Sequence, residues 1–167
     1  MEYSRDDYKF PEAYVEGIES DVYMIVYKDR GSYRLSEKPG EPLSLGRTIY
    51  EQALTLTIDL EKAETKRHVA VRVPWKNNRA MLLEPGARVV LYEVSGVQAV
   101  FYAHEGDDLR RGDVLAYVLT GKGETRTIRV QEEATVFYIA WIPGTQPPRY
   151  IAVLADPESL IILREEA

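Results

Sequence analysis

Lys122 stands between two glycines in "TGKGE" (120–124), where flanking strands would make it the tip of a hairpin. An exposed primary amine there has two uses: an acceptor for a covalently attached group, or the charged end of a turn. Upstream, "HEGDDLRRGD" (104–113) sets His104 ahead of a run of acids and arginines. Imidazole and carboxylate are metal ligands and proton carriers, but a catalytic zinc needs about three protein ligands. The other histidine, His68, belongs to a distant part of the sequence, so no metal site is expected. Glu132 and Glu133 are neighbours on an expected strand; they would point to opposite faces and make no acid–base pair. "RVPWKNNR" (72–79) puts Trp75 beside Lys76 and Arg79; a loop anchored by a buried tryptophan is expected, and a partner surface of one ring and two cations is the alternative. No serine occupies a nucleophile elbow, and no glycine-rich loop leads into a helix. The absence of cysteine excludes disulfides, thiolate metal sites and thiol nucleophiles.

The elements that must hold these residues read as strands. Apolar residues alternate with period two through most of the chain. "DVYMIVYK" (21–28), the turn "DRGS" and "YRLSE" (33–37) predict a hairpin. "EKPGEPLSLG" (37–46), with two prolines and two glycines, predicts a loop. Leu54, Leu56, Ile58 and Leu60 fall on one face of a strand, and Val69, Val71 and Val73 answer them in a second hairpin. Helix is expected only in short pieces, at "FPEAYVEGIES" and "TIYEQAL" (48–54). "EPGARV" (84–89) marks a boundary, dividing the chain into a small β-rich N-terminal domain, 1–83, and a second domain, 84–167. In the second, short strands recur about every ten residues between Gly and Pro turns, the pattern of a sandwich or barrel.

The second half also repeats itself. "AVFYAHEGDDLRRGDVLAYVLT" can be laid over "TVFYIAWIPGTQPPRYIAVLAD", matching Val100-Phe101-Tyr102 with Val136-Phe137-Tyr138 and Gly106 with Gly144. Two copies of strand–turn–strand imply a fold with an internal pseudo-two-fold relation. Within the first copy, Gly106 and Gly112 supply the positive φ of tight reversals, Asp107 and Asp108 can accept turn N–H groups, and Asp113 belongs to the second Gly-Asp turn.

The segment from Gly86 to Arg164 resembles the biotinyl/lipoyl-like carrier domains, barrel-sandwich hybrids built from two quasi-symmetric halves. The match rests on Gly96-Val97, Glu105-Gly106-Asp107, Arg110-Arg111-Gly112-Asp113 and Val114-Leu115, leading to the lysine hairpin. The whole chain is also similar to a family of small uncharacterised archaeal proteins. The carrier resemblance implies covalent biotin or a lipoyl group on Lys122. The neighbours that a ligase reads, Ala-Met-Lys-Met or an acid before the lysine, are replaced by Thr120-Gly121-Lys122-Gly123-Glu124, so an unmodified lysine is expected. The same run resembles zinc endopeptidases of the lysostaphin type, which complete their ligand set with a His-x-His strand. "TRTIRV" (125–130) has no histidine, and a metallopeptidase is not expected.

Composition bounds what remains. A chain of 167 residues, 45% hydrophobic and 29% charged, has the makings of a folded core, and its arginine-over-lysine bias is compatible with a thermophile. A net charge of −6 argues against general nucleic-acid binding. No apolar run approaches the roughly 20 residues that span a bilayer, and no signal peptide is visible, so a cytoplasmic location is the default. Three readings stand. The first is a non-catalytic binding or scaffolding module without cofactor, with a protein partner or a second copy as its ligand. The second is a biotin or lipoyl carrier loaded on Lys122. The third is an enzyme with a pocket between the two domains, for which the sequence names no residues.

Overall fold

The computed structural model describes residues 10–166. The chain is mostly β. Its first eight strands are β1 (Glu12–Glu16), β2 (Tyr23–Tyr27), β3 (Ser32–Ser36), β4 (Leu43–Thr48), β5 (Ile58–Asp59), β6 (Glu64–Thr65), β7 (Val69–Val73) and β8 (Arg79–Leu83). Seven more follow: β9 (Val89–Ser95), β10 (Gln98–Phe101), β11 (Asp108–Leu109), β12 (Val114–Leu119), β13 (Thr125–Arg129), β14 (Ala134–Ile142) and β15 (Arg149–Ala155). The last is β16 (Ile161–Glu165), and one short helix, α1 (Ala53–Thr57), precedes β5. No helix among the described residues is long and apolar enough to cross a membrane.

Two compact units result. One takes the chain up to Ala87 and from Glu158 onward; the other is Arg88–Pro157. In the first, seven strands close a barrel in the order β1-β4-β2-β3-β16-β8-β7. Closure leaves no unpaired edge. Tyr14, Met24, Tyr33, Leu45, Ala70, Leu82 and Leu163 form one buried cluster contributed by strands all round the barrel. The opposite face is apolar too, since Ala13, Val15, Val69, Val71 and Met81 are fully or almost fully buried. Burial on both faces removes the polar half of the alternation.

Several expectations are corrected here. "FPEAYVEGIES" is not helical: its centre is β1, paired with β4 and β7. "EKPGEPLSLG" is loop only to Pro42, and β4 begins at Leu43. Gly46 sits inside β4 because a Cβ there would lie 2.1 Å from the Ile18 carbonyl oxygen. Leu54 and Leu56 belong to α1 rather than to a strand, and β7 pairs with β1 and β8 instead of answering them. The second domain does not run to residue 167, because β16 pairs with β8 and, in parallel, with β3.

The second unit packs two sheets, β10-β12-β13 and β11-β14-β15-β9. Val94, Leu109, Leu115, Val118, Val136 and Leu154 lie in the core they share, and Phe101 meets Tyr150 edge-on at 5.4 Å. The strand orders carry an internal relation. Exchange β9 with β13, β10 with β14 and β12 with β15, and the run β14-β15-β9 becomes β10-β12-β13, the whole of the smaller sheet. The larger sheet has one strand more, β11, lying along β14. The corresponding segment of the other half is "PGTQPP" (143–148), whose three prolines lack the N–H groups that a strand would donate. Pairing registers differ between the halves: Phe101 faces Ala116, whereas the aligned Phe137 lies at a bulge and Ala152 faces Ile139.

Candidate functional site

The tip of the β12–β13 hairpin is built by three hydrogen bonds. Thr120 N–H donates to the Glu124 carbonyl at 2.8 Å, Gly123 N–H to the Thr120 carbonyl at 3.1 Å, and Glu124 N–H to Thr120 Oγ1 at 3.2 Å. Gly123 takes a φ of +80°, which favours glycine, and a Cβ at Gly121 or Gly123 would meet nothing within 4 Å. Gly121, Lys122, Gly123 and Glu124 are all exposed. The Lys122 ammonium makes no hydrogen bond or ion pair with any described residue. The amine is held out into open space on a turn that is itself well bonded.

Two matching reversals lie on the approach to it. Gly106 and Gly112 have φ of +89° and +91°. Asp107 accepts the His104 N–H at 2.9 Å, and Asp113 accepts the Arg110 N–H at 2.8 Å. Each Gly-Asp pair is then stitched to the returning chain: Gly106 N–H donates to Val136 and Gly112 N–H to Val130, at 2.8 and 2.9 Å. Asp108 serves differently, accepting the Thr135 hydroxyl at 2.6 Å. His104 is therefore an exposed turn residue, and among the described residues no group of three or more His, Asp or Glu is placed to hold a metal. Glu132 and Glu133 lie in the connection between β13 and β14, not on a strand as expected, and Glu132 pairs with Arg88 at 3.0 Å.

The outer face of the smaller sheet mixes exposed apolar side chains with the exposed polar Gln98 and Thr127. Val97, Val100, Tyr102 and Tyr117 are 57%, 53%, 69% and 38% exposed. Val100 pairs with Tyr117, and Tyr117 with Thr127, so one row runs straight across the three strands.

In the first unit, Trp75 and Lys76 sit in the 3-10 turn Pro74–Lys76, and Arg79 opens β8. Lys76, Asn77 and Arg79 line a cleft of about 380 Å³ together with Gly31, Ile162, Leu163 and Arg164. Trp75 is exposed, not the buried anchor expected for this loop, and β16 adds Ile162 and Arg164 from the far end of the chain.

Two charged clusters of the barrel escaped the sequence reading. Arg72 shares its strand face with Ala70 of the buried cluster and is itself buried. Its guanidinium donates to Glu12 at 2.7 Å, to Glu165 at 3.3 Å and to the Tyr33 hydroxyl at 3.0 Å. The Tyr33 hydroxyl donates in turn to the Asn78 carbonyl. Burial pushes the Tyr33 hydroxyl up to about 12 against the favourable field of Arg72. Burial also opposes the Arg72 charge, but Tyr33 and Glu12 outweigh it and hold the guanidinium above its ordinary value. Such a group stays charged at any working pH, so it ties strands together and moves no proton.

His68 is the centre of the other cluster. Its Nδ1 lies 3.3 Å from Glu16, its Nε2 3.3 Å from the Lys28 ammonium, and Lys28 pairs with Glu84 at 3.0 Å. Nε2 also lies 3.9 Å from the Glu84 carboxylate. Burial of Glu16 opposes its ionisation, but the backbone N–H and ring of His68 prevail and keep its carboxyl below the usual range. Nδ1 is buried and faces the Glu16 carboxylate without making a hydrogen bond, while Nε2 faces the Lys28 ammonium. Lys28 and His68 also border a cleft of about 580 Å³ with Tyr27, Arg30, Glu41 and Leu43.

Residues 8–157 match the family described as an uncharacterized protein conserved in archaea, DUF2118, and the chain belongs to that family. No curated protein matches the sequence.

Proposed function

We propose that this archaeal family member is a non-catalytic binding protein whose second unit is a biotinyl/lipoyl-like barrel-sandwich hybrid carrying an unmodified Lys122. The observation that carries the binding reading is the exposed apolar face of Val97, Val100, Tyr102 and Tyr117. Large apolar side chains exposed together on one sheet are favoured where a partner covers them. The barrel-sandwich reading is supported by the exchange relation between the two sheets and by a lysine hairpin joining the halves. The unmodified lysine is supported by its neighbours, Gly121 and Gly123, which offer a ligase neither methionine nor a preceding acid.

A second reading, a carrier with biotin or a lipoyl group on Lys122, is favoured by the clear space around the tip. Intact mass of the protein purified from its archaeal host separates the two. The binding reading expects the mass of the unmodified chain. An added mass that disappears in Lys122→Ala would replace it with the carrier reading.

A further inference from the structure

The exchange that relates the two sheets assigns a strand to the free side of β10, in the position that β11 fills beside β14. Among the described residues β10 pairs only with β12. We infer that this vacant position is taken by β10 of a second copy of the chain, in an antiparallel pairing centred on Val100. The inference deepens the binding reading above, since it names the partner of the same apolar face.

The backbone directions fit. Tyr102 N–H donates to the Leu115 carbonyl, and antiparallel ladders alternate, so Val100 and Gln98 also turn their backbone groups toward β12. The N–H and C=O of Ala99 and Phe101 are left facing the open side. Two copies related by a two-fold axis at Val100 would set Ala99 against Phe101 of the second copy and the reverse, exchanging four hydrogen bonds. Val100 would face its own symmetry mate as a non-hydrogen-bonded pair. The outer row Thr127–Tyr117–Val100 would then continue into Val100–Tyr117–Thr127 of the second copy, covering apolar surface on both.

Charge selects a second copy over a charged peptide. Residues 97–103, "VQAVFYA", contain no ionisable side chain other than a tyrosine, so identical edges meet without repulsion. The edge strand at the other side of the sheet, β13, carries Arg126 and Arg129 and would repel its own copy. An unguarded edge beside a guarded one in the same sheet marks which of the two is meant to pair.

The chain has no cysteine, which makes the test clean. A facing non-hydrogen-bonded pair has Cα atoms about 4.5 Å apart, within disulfide reach. Full-length Val100→Cys should therefore cross-link to a dimer under mild oxidation. Thr127→Cys, roughly 24 Å from its mate across five strand spacings, should remain monomeric on a denaturing gel. Sedimentation of the unaltered protein should show a dimer, and Val100→Asp, which sets like charges face to face, should raise its dissociation constant by at least about tenfold. Circular dichroism of Val100→Asp should match the parent, since the side chain is exposed. A monomer at every concentration, or a dimer indifferent to Val100→Asp that does not cross-link through Val100→Cys, overturns the inference. Neither result bears on the mass at Lys122, and a monomer would leave the apolar face open to a different protein.

Discussion

In the first unit seven strands return on themselves and only the short β5-β6 ribbon stands outside the closed sheet; in the second, two sheets face each other and end in open edges. The barrel recruits its closing strand, β16, from the far end of the chain and takes a charged group into its wall, where Arg72 links Glu12, Tyr33 and Glu165 from three other strands. The sandwich buries Glu105 and Thr135 as well as its apolar cluster, and Gly106-Asp107 and Gly112-Asp113 each fix a reversal. Closure makes the first unit self-sufficient. Openness leaves the second with edge backbone groups and exposed apolar side chains to which another chain can pair.

Removing the charge from the barrel wall should have the largest effect. Arg72→Ala takes the guanidinium from Glu165 and Tyr33 and leaves Glu12 with Arg47 alone, and urea unfolding should report a loss of about 3 kcal/mol. A loss below about 1 kcal/mol would mean that the network is merely solvated. A smaller effect is expected in the sandwich. Gly112→Ala meets no atom within 4 Å, so its cost is that of the positive φ alone, about 1–2 kcal/mol. If Gly112→Ala proved as damaging as Arg72→Ala, turns rather than core packing would dominate the second unit.

The contrast also explains what was readable. The β2–β3 hairpin shows in the sequence because "DRGS" offers Gly31 for the left-handed position between two alternating strands. The Gly-Asp turns show because their chemistry is local. β1 is hidden because Ala13, Tyr14 and Val15 are all buried, and without alternation the proline and acids beside them look like a helix start. β4 is hidden by Pro42 and Gly46, the latter demanded by the nearby Ile18 backbone, which no local pattern announces. The Arg72 network draws on strands scattered from residue 12 to residue 165, and His68 meets Glu16, Lys28 and Glu84 only through barrel closure. The lysine hairpin was legible as a place. The vacant edge beside β10 follows only from the order of strands in the two sheets.

That vacancy is best examined at the amides themselves. Hydrogen exchange of the Ala99 and Phe101 N–H groups, followed against protein concentration, reads whether the open side of β10 is filled by a second chain. The account predicts fast exchange at high dilution and rising protection as concentration increases, while Tyr14 and Ala70 in the closed barrel stay unchanged. Equal protection of Ala99 and Phe101 at the lowest and highest concentrations would contradict it.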